Sequence, residues 1–390
     1  MRIKTLTVKN YKLFKELHFD GLDELPVVTG ESGSGKSTLC EIFYFLKNGM
    51  RRGLTEVIGD FVSNGTNTIS SAVDKTSGVN PEIEFELTGF DEITVKKNIH
   101  PIAFRYFFKV REENWKMFVL DERLSLTDSV TGETHDLIST QCGELSAFLN
   151  PVSYSKAKDG TPKFTKLKNS MSRQDVLTLS VLSDYKSDLM PVLKRFLCNT
   201  CVYRKNINFF SGTAYKSDSQ VEDNGSNYLS CLFRLQNSNN EKFSSIVDEI
   251  KSCFQDIDNI SVEQTSDGFM LLRCERQNKS LPVYNAEEEG LVRMLSLLTL
   301  LHQDAPYSLL ILDRPEEGLS ARCLAAVEKN IAAYADAGKQ ICVVTNSESM
   351  LERLRAANGK TRAFSLEKTD GFSVLKELFG KEINNDPFIR

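Results

Sequence analysis

The chain has 390 residues, with 48 Lys and Arg against 53 Asp and Glu, and its hydrophobic content is 41%. This much apolar sequence is enough for one or two folded domains and excludes a predominantly disordered chain. With only 10 Pro and 22 Gly, fibrous and low-complexity classes are excluded as well. The formal charge of −5 argues against a wholesale nucleic-acid-binding surface, although a local basic patch stays compatible with it.

The nine cysteines are scattered, and Cys198 and Cys201 form the only closely spaced pair. No second Cys pair and no His pair accompanies them, so we expect no structural zinc. Scattered cysteines are typical of reduced thiols, and the alternating N-terminus MRIKTLTVKNYKLF is unlike a signal peptide. The most apolar run, 295–312, is interrupted by polar residues and is not expected to span a bilayer. The sequence therefore predicts a cytoplasmic protein without a membrane contact.

Residue periodicity predicts the elements in chain order. Alternation over 3–9 predicts an edge strand, and 25–29 predicts a short apolar strand followed by a helix that closes at Gly49. Four alternating runs between 82 and 127 predict an antiparallel meander. The polar stretches 155–173 and 205–227 are interpreted as connections. The remaining predictions are helices within 174–203 and at 240–256, 288–302 and 320–336, strands at 309–312 and 340–345, and hairpins at 260–274 and 363–377.

Residues 30–37, GESGSGKS, satisfy the pattern G-x-x-x-x-G-K-[ST] between a predicted strand and a predicted helix. Glycines let backbone N–H groups wrap an anion, and the helix N-terminus adds partial positive charge. Lys36 is expected to reach the β- and γ-phosphates of ATP, and Ser37 to coordinate Mg²⁺. The alternative is a Gly/Ser turn before a helix. The predicted nucleotide-binding residues of this loop are Gly30, Ser32, Gly33, Ser34, Gly35, Lys36, Ser37 and Thr38.

A second motif, LLILD, ends at Asp313 after four apolar residues. A buried strand of this kind delivers a carboxylate to its carboxyl end, where Mg²⁺ would lie beside the phosphate loop. We therefore predict that Ser37 and Asp313 are the metal ligands. The long separation between Lys36 and Asp313 disfavours a compact switch GTPase or kinase and favours an ATPase with an inserted lobe.

At these motifs the chain resembles the ABC-type ATPase heads of the structural-maintenance-of-chromosomes (SMC) and recombination-mediator class. It is most similar to stand-alone heads of overcoming-lysogenization-defect-like, anti-phage and toxin–antitoxin systems. The resemblance covers most of the chain but is strong at four places only. These are the N-terminal strand, the phosphate loop, the Asp313 strand, and the segment before that strand, which in the family carries a signature motif. The family mechanism implies that two heads sandwich two ATP molecules, with each signature motif capping the other subunit's γ-phosphate.

Residue by residue, Lys36, Ser37 and Asp313 match the family, as do Gly290 and Arg293 of the signature helix, which would contact the nucleotide. Three positions that act on the γ-phosphate depart from it. The signature serine falls on Glu288, whose charge would repel a γ-phosphate. Arg314 stands where the water-orienting glutamate is usual, although Glu316 is the acidic residue that some relatives retain. The switch histidine falls on Asn346. By this resemblance Glu316, Asp313 and Asn346 are the predicted catalytic residues.

Two interpretations of these departures stay open. One is a head that binds ATP and Mg²⁺ but hydrolyses slowly, as a nucleotide-gated clamp. The other is that the assigned register is shifted and that Glu316 with Ser347 restores ordinary hydrolysis. Tyr11 and Phe14 lie where relatives often stack adenine, but aromatic residues on a strand are more often core.

Residues 154–173 combine basic and aromatic side chains with Asp159 as the acidic exception. Clustered lysines can bind nucleic-acid phosphates or an acidic partner, whereas a solvated loop is the simpler interpretation. The possible DNA contacts are Lys156, Lys158, Lys163, Lys166 and Lys168. No nuclease constellation is visible, and the segment after Asp313 is expected to be too short for an appended toprim-like metal domain. Any cutting of nucleic acid would therefore fall to a separate protein.

The predicted fold is α/β, a P-loop NTPase of ABC-ATPase type. It has a mixed-sheet core, an antiparallel β-meander lobe and a small helical insert. We expect a discontinuous ATP-binding core at 1–48 and 285–390, the β lobe at 49–170, and the helical insert with its hairpin at 171–284. The predicted function is an ATPase sensor or scaffold of a bacterial defence or toxin–antitoxin module. It would form a homodimer or higher homo-oligomer and hold a separate nuclease or toxin effector. The alternatives are a DNA-repair clamp on duplex DNA and a structural pseudo-ATPase.

Overall fold

The computed structural model describes residues 1–63, 82–95, 98–113, 116–141, 144–147, 175–182, 189–204, 219–277, 279–283 and 288–379. The chain divides into two compact units. Unit 1 comprises Met1–Asp23, Gly30–Thr200 and Phe364–Arg390, and unit 2 comprises Glu24–Thr29 and Cys201–Ala363. These boundaries differ from the three-part division at 48/49, 170/171 and 284/285, which stays a prediction.

The first half of the chain contains mainly strands. Its elements are β1 (Arg2–Tyr11), β2 (Phe14–Asp20), β3 (Leu25–Gly30), α1 (Lys36–Arg52), α2 (Leu54–Ser63), β4 (Ile83–Val95), β5 (Asn98–Glu113), β6 (Lys116–Asp128), β7 (Thr134–Gln141), β8 (Glu144–Ala147), α3 (Thr178–Leu182), α4 (Leu189–Cys198) and β9 (Thr200–Tyr203).

The second half alternates helices and strands. Its elements are α5 (Tyr228–Ser238), α6 (Asn240–Cys253), β10 (Asn259–Gln264), β11 (Met270–Arg276), β12 (Lys279–Pro282), α7 (Glu289–His302), β13 (Leu309–Asp313), α8 (Ala321–Asp336), β14 (Gln340–Val344), α9 (Glu348–Ala357), β15 (Thr361–Thr369) and β16 (Phe372–Glu377).

Unit 1 contains a seven-stranded antiparallel sheet in the order β2-β1-β4-β5-β6-β7-β8. The predicted antiparallel meander is confirmed, since consecutive strands from β4 to β8 pair with one another, but the first two of its four predicted strands are the single strand β4. The prediction that 3–9 form an edge strand is wrong, because β1 pairs with β2 on one side and with β4 on the other. Alternation marks a strand with one buried face, and such strands occur at the centre of an antiparallel sheet as well as at its edge.

Aromatic stacking joins α1 to this sheet. The ring centroids of Phe45 and Phe85 lie 5.3 Å apart, and those of Phe85 and Phe108 lie 4.7 Å apart, with nearly parallel planes in both pairs. Tyr11 packs against Phe45 and Phe85 from the side and is fully buried, as is Phe14. In unit 1 these two side chains are core residues, so the adenine-stacking interpretation gains no support from this unit.

Glu122 on β6 is a fully buried carboxylate that ties the sheet to α3. It accepts hydrogen bonds from the Tyr106 hydroxyl at 2.8 Å and from the backbone N–H groups of Thr178 and Leu179 at 2.5 and 2.9 Å. Burial raises the pKa of Glu122, whereas these donors act in the opposite direction. The carboxylate thus satisfies two amides of the first turn of α3 that would otherwise be buried without a partner.

Unit 2 is organised around parallel strands. β13 pairs with β14 from Leu309↔Gln340 to Asp313↔Val344, and β14 pairs with β3 through Val343↔Val27 and Val344↔Val28. The residues of β13 and β14 are all buried, which explains their continuous apolar sequences. β9 lies beside β13, and β10, β11 and β12 form a separate antiparallel sheet. Helices α5 to α8 contribute buried residues to the same core.

Most predicted elements of unit 2 are confirmed, including β13, α6, α7, α8 and the β10–β11 hairpin. The segment 174–203 is helical only in part, because it contains α3, α4 and, unpredicted, the buried strand β9. Helices α5 and α9 were not predicted, since they are short, with 11 and 10 residues. The lysine-rich segment 156–173 lies outside the described residues.

Within the described ranges, no helix has both the length and the apolarity that a membrane crossing requires.

The Glu122 contacts generate a stability prediction. Glu122→Ala removes the acceptor from two amides and a buried hydroxyl, so we expect unfolding free energy to fall by about 2–4 kcal/mol. Urea unfolding monitored by circular dichroism measures the loss. Glu16→Ala, at a carboxylate with 65% side-chain exposure on β2, is the control and should change stability by less than about 0.5 kcal/mol. Equal stability of the two variants would contradict a structural role for Glu122.

Candidate functional site

The phosphate loop in unit 1 has the backbone that its glycines predict. Gly33 and Gly35 adopt φ values of 79° and 108°, in the region that disfavours residues with a Cβ. Gly35 is the N-cap of α1 and makes no side-chain cap, so the first amides of this 17-residue helix have no side-chain acceptor at that position. A helix N-terminus of this kind offers N–H groups and partial positive charge to an anion.

Lys36 lies back over this loop. Its ammonium donates hydrogen bonds to the carbonyl oxygens of Gly30 and, at 2.7 Å, of Glu31, and it lies 3.5 Å from the Ser34 hydroxyl. Lys36, Ser34 and Thr38 are nearly buried, whereas Ser37 is exposed. A nearly buried ammonium beside a helix N-terminus adds positive charge at the point where the first amides of α1 lie, which favours an anionic ligand.

The β15–β16 hairpin supports the loop from the side, and sequence reasoning missed this contact. A Cβ on Gly30 would lie 2.5 Å from the Leu366 carbonyl oxygen, and a Cβ on Gly35 would collide with the Ser373 hydroxyl. Ser373 is fixed by its own N–H, which donates to the Leu13 carbonyl at 2.8 Å. No pattern in the sequence links 366 and 373 to 30 and 35, so only the fold reveals it.

In unit 2, the parallel register brings three chain segments to one edge. Asp313 ends β13 opposite Val344, and the Thr345 N–H donates to the Val28 carbonyl at 2.9 Å. Asn346 follows directly. Val28 of β3 therefore lies beside the segment that carries Thr345 and Asn346. Ligands of parallel α/β sheets bind at such carboxyl edges.

Glu316 is held at the same edge. Its Oε1 accepts a hydrogen bond from the Asn346 N–H at 2.8 Å, so two of the three predicted catalytic residues are joined. Its Oε2 is buried and has no hydrogen-bond partner within the described part of the chain. A buried carboxylate oxygen without a donor is costly and is available to a water molecule.

Arg314 occupies the position after Asp313 in an unusual conformation. Its φ is 53°, which costs about 1–2 kcal/mol for a residue with a side chain. Its Nε lies 3.1 Å from Asp313 Oδ1, and its Nη1 lies 3.1 Å from Glu317 Oε1. The sequence identified Arg314 as a departure from the family, but its pairing with Asp313 was not predicted, because neighbouring side chains on a strand point to opposite faces.

The signature positions lie at the start of α7. Glu288 is the N-cap, and Arg276 binds it in a bidentate pair with distances of 2.7 and 2.6 Å. The expected repulsion from a bare Glu288 carboxylate is therefore reduced, since a guanidinium neutralises it. Gly290 lies in the first turn, where an added Cβ would make ordinary contact with the Gly318 carbonyl. The pairing of Arg276 with Glu288 has no signal in the sequence.

Arg293 of α7 is nearly buried and binds within its own chain. Its Nε donates to Glu289 at 2.9 Å and its Nη1 donates to the Glu317 carbonyl at 2.9 Å. Gly318, with φ 76°, lies so close that an added Cβ would be 2.8 Å from Arg293 Cδ and Nε. Arg293 thus fixes the turn that carries Glu316 and Glu317 to the signature helix.

The donor set suits Mg²⁺ more than a metal held by protein alone. Among the residues that the structure describes, no cluster of three or more His, Cys, Asp or Glu is placed to hold a metal ion. Mg²⁺ is usually bound through one or two carboxylates together with phosphates and water. Asp313 is a nearly buried carboxylate in unit 2 and Ser37 carries an exposed hydroxyl in unit 1, so both are oxygen donors of the kind that Mg²⁺ takes, and their joint role as ligands stays a prediction.

The contact between Gly318 and Arg293 predicts a local effect of one methyl group. Gly318→Ala adds both a strained φ and a clash, so we expect it to destabilise the protein by about 1–3 kcal/mol more than a variant with the strain alone. Gly338→Ala is that control, because Gly338 has φ 77° and open space around an added Cβ. Thermal unfolding compares the two. Equal shifts in melting temperature would contradict the contact.

Comparison with known proteins gives one sequence relative and several similar structures. No family model matches the chain. A Helicobacter pylori protein named "ATP/GTP phosphatase" is 36% identical over 56 residues, which is 14% of this chain and 15% of that protein's length. An SMC head bound to the C-terminal winged-helix domain of ScpA matches with a TM-score of 0.50 and 13% identity, covering 97% of this chain and 98% of its own.

Two further structures are similar over nearly the whole chain. An SMC head domain from Thermotoga maritima has a TM-score of 0.40 at 13% identity, covering 97% of this chain and 100% of its own. An SMC head from Pyrococcus furiosus with an extended coiled coil, bound to the C-terminal domain of ScpA, has a TM-score of 0.48 at 12% identity, covering 97% and 96%. The fold assignment rests on the first structure, whose TM-score is higher. The predicted fold class is confirmed: the chain has the fold of an SMC head, a P-loop ATPase fold of ABC type.

Proposed function

We propose that the protein binds ATP with Mg²⁺ and hydrolyses it slowly. The observation that carries this proposal is the loop in which a nearly buried Lys36 ammonium donates to the Gly30 and Glu31 carbonyls beside the N-terminus of α1. This arrangement supports binding of an anion of the phosphate type. The short relative named "ATP/GTP phosphatase" is compatible with a nucleoside triphosphate.

In this proposal the loop backbone wraps the phosphates and Lys36 turns from the loop carbonyls towards the β- and γ-phosphates. Ser37 and Asp313 hold Mg²⁺, which when bound would neutralise the phosphate charge. Gly30, Gly33 and Gly35 supply the backbone conformation, and the hydroxyl groups of Ser32, Ser34 and Thr38 are available as further contacts.

Hydrolysis needs a group that orients water against the γ-phosphate. Glu316 is the proposed candidate, because its Oε2 is buried without a donor while its Oε1 is fixed by the Asn346 N–H. Asn346 positions Glu316 through its backbone in this proposal, and its amide side chain cannot act as a base at neutral pH. Arg314 stands at the position where a water-orienting glutamate is usual, and a cation cannot take over that role. This supports a turnover number well below about 1 per second, the lower end of the range for typical enzymes.

We further propose a homodimer in which the N-terminal turn of α7 faces the nucleotide of a second copy. Gly290 permits close approach there, and Arg276 reduces the negative charge of Glu288. The contacts of Arg293 with Glu289 and Glu317 favour a role in positioning the Glu316 turn rather than a direct nucleotide contact. The resemblance to stand-alone heads supports the finer proposal of a sensor or scaffold in a bacterial defence or toxin–antitoxin module, with a separate effector.

Nucleotide binding is tested at Lys36. Lys36→Ala removes a charge-assisted contact, so we expect the affinity for a fluorescent ATP analogue to fall by about 10- to 100-fold. Lys15→Ala, at an exposed lysine on β2, should bind as the wild type does. Fluorescence anisotropy with Mg²⁺ measures both. Equal affinity in the two variants would contradict a role of the phosphate loop in nucleotide binding.

The role of Glu316 is tested separately from binding. Glu316→Gln keeps the size and the acceptor for the Asn346 N–H but loses the charge, so we expect phosphate release to fall by about 100-fold while ATP affinity stays within about twofold. The control is Glu348→Gln, at an exposed carboxylate on α9. A colorimetric phosphate assay follows turnover. Fast hydrolysis in Glu316→Gln would mean that another group orients the water, and fast wild-type turnover would contradict the slow ATPase.

A further inference from the structure

We propose that Arg314 is a resident cation on the metal-binding carboxylate, so that Mg²⁺ must displace it from Asp313. This inference rests on the proposed role of Asp313 as a Mg²⁺ ligand. In this inference the Arg314 guanidinium competes with Mg²⁺ for the Asp313 carboxylate.

The first observation is the pairing itself. Asp313 is only 6% exposed, and the Arg314 Nε lies 3.1 Å from its Oδ1. A buried carboxylate without a counter-charge would be costly, and the guanidinium removes that cost without any ligand. The guanidinium occupies Oδ1, one of the two oxygen atoms that a metal could use, and its positive charge beside the carboxylate opposes a second cation there.

The second observation is the backbone of Arg314. Its φ of 53° ends the strand directly after Asp313 and allows both side chains to meet on one side of the edge. Nothing local favours this conformation, because Arg is not an αL-prone residue and Pro315 disfavours helical conformations at the position before it. It is held instead by the N–H of Arg314, which donates to the Val344 carbonyl at 2.7 Å and continues the parallel ladder. Strain maintained in this way is characteristic of functional positions.

The third observation is the destination of the side chain after displacement. Arg314 Nη1 already lies 3.1 Å from Glu317 Oε1. The Glu317 carbonyl is held by Arg293, so the turn that would receive the guanidinium is fixed. Release from Asp313 would therefore leave the guanidinium paired with a carboxylate that it already contacts.

Direct metal binding tests this competition without any turnover. Electron paramagnetic resonance of free Mn²⁺ reports how much Mn²⁺ the nucleotide-free full chain binds. Arg314→Gly removes the guanidinium and tolerates φ 53°, so we expect Mn²⁺ to bind about tenfold more tightly than to the wild type. Arg314→Lys keeps the positive charge without the guanidinium fork and should give a smaller gain, which provides a second variant if the glycine variant does not fold.

Two controls make the test specific. Adding Asp313→Asn to Arg314→Gly should abolish the gain, because the unmasked carboxylate is lost. Arg353→Gln unmasks a different nearly buried carboxylate, Glu328, whose bidentate contacts to Arg353 measure 2.6 and 2.8 Å. It should leave Mn²⁺ binding unchanged. Unchanged Mn²⁺ affinity in a folded Arg314 variant, or an equal gain in Arg353→Gln, would overturn the proposal.

A parallel ATP titration in EDTA separates this inference from the proposed function. Without metal, the wild type and Arg314→Gly should bind ATP equally, since Arg314 acts on the metal ligand. Absence of ATP binding by the wild type after excess Mg²⁺ is added back would contradict the nucleotide-binding proposal and leave the Mn²⁺ comparison decisive by itself. Normal ATP binding with no Mn²⁺ gain in Arg314→Gly would contradict only the competition.

Discussion

The parallel register of β3, β14 and β13 is the constraint on which the chemistry of unit 2 depends. It aligns Val28 with Val344 and Val344 with Asp313, so three strands end at one level. Continuous burial of β13 and β14 makes a slip costly, since every residue of both strands is buried. Because the register is fixed, Val28, Val344 and Asp313 lie at one level of the sheet although they are far apart in sequence.

Most polar groups at this edge bind one another. Asn346 donates to Glu316, Arg314 binds Asp313 and Glu317, and Arg293 donates to the Glu317 carbonyl. In unit 1 the same holds for Lys36, which donates to loop carbonyls. Each cation thus rests on an oxygen that a ligand or metal would later compete for. A site built in this way exchanges existing contacts on binding, which lowers the net gain from each new one.

The sequence was sufficient for the parts of the site that depend on local pattern. The phosphate loop, the strand ending at Asp313 and helix α7 follow from glycine spacing, a continuous apolar run and helical periodicity, and the structure confirms these elements. The contacts between distant segments could not be predicted. Ser373 beside Gly35, Arg276 on Glu288 and Glu122 beneath α3 each join positions whose separation carries no periodic signal. They depend on sheet order and on side-chain reach, which no local pattern encodes.

Arg314 shows why a departure from a motif is better understood from its contacts than from its identity. From the sequence alone, an arginine in place of the water-orienting glutamate indicates only that this carboxylate is missing. In the structure the same residue neutralises a buried carboxylate, ends β13 with a strained backbone and reaches Glu317. Replacing a carboxylate with a guanidinium also lowers the negative charge of the 313–317 turn by two, which weakens its attraction for a divalent cation. In the proposed competition, Arg314 would therefore act on metal loading as well as on water activation. Both effects would slow turnover, because the guanidinium would have to leave Asp313 before the metal could occupy that carboxylate.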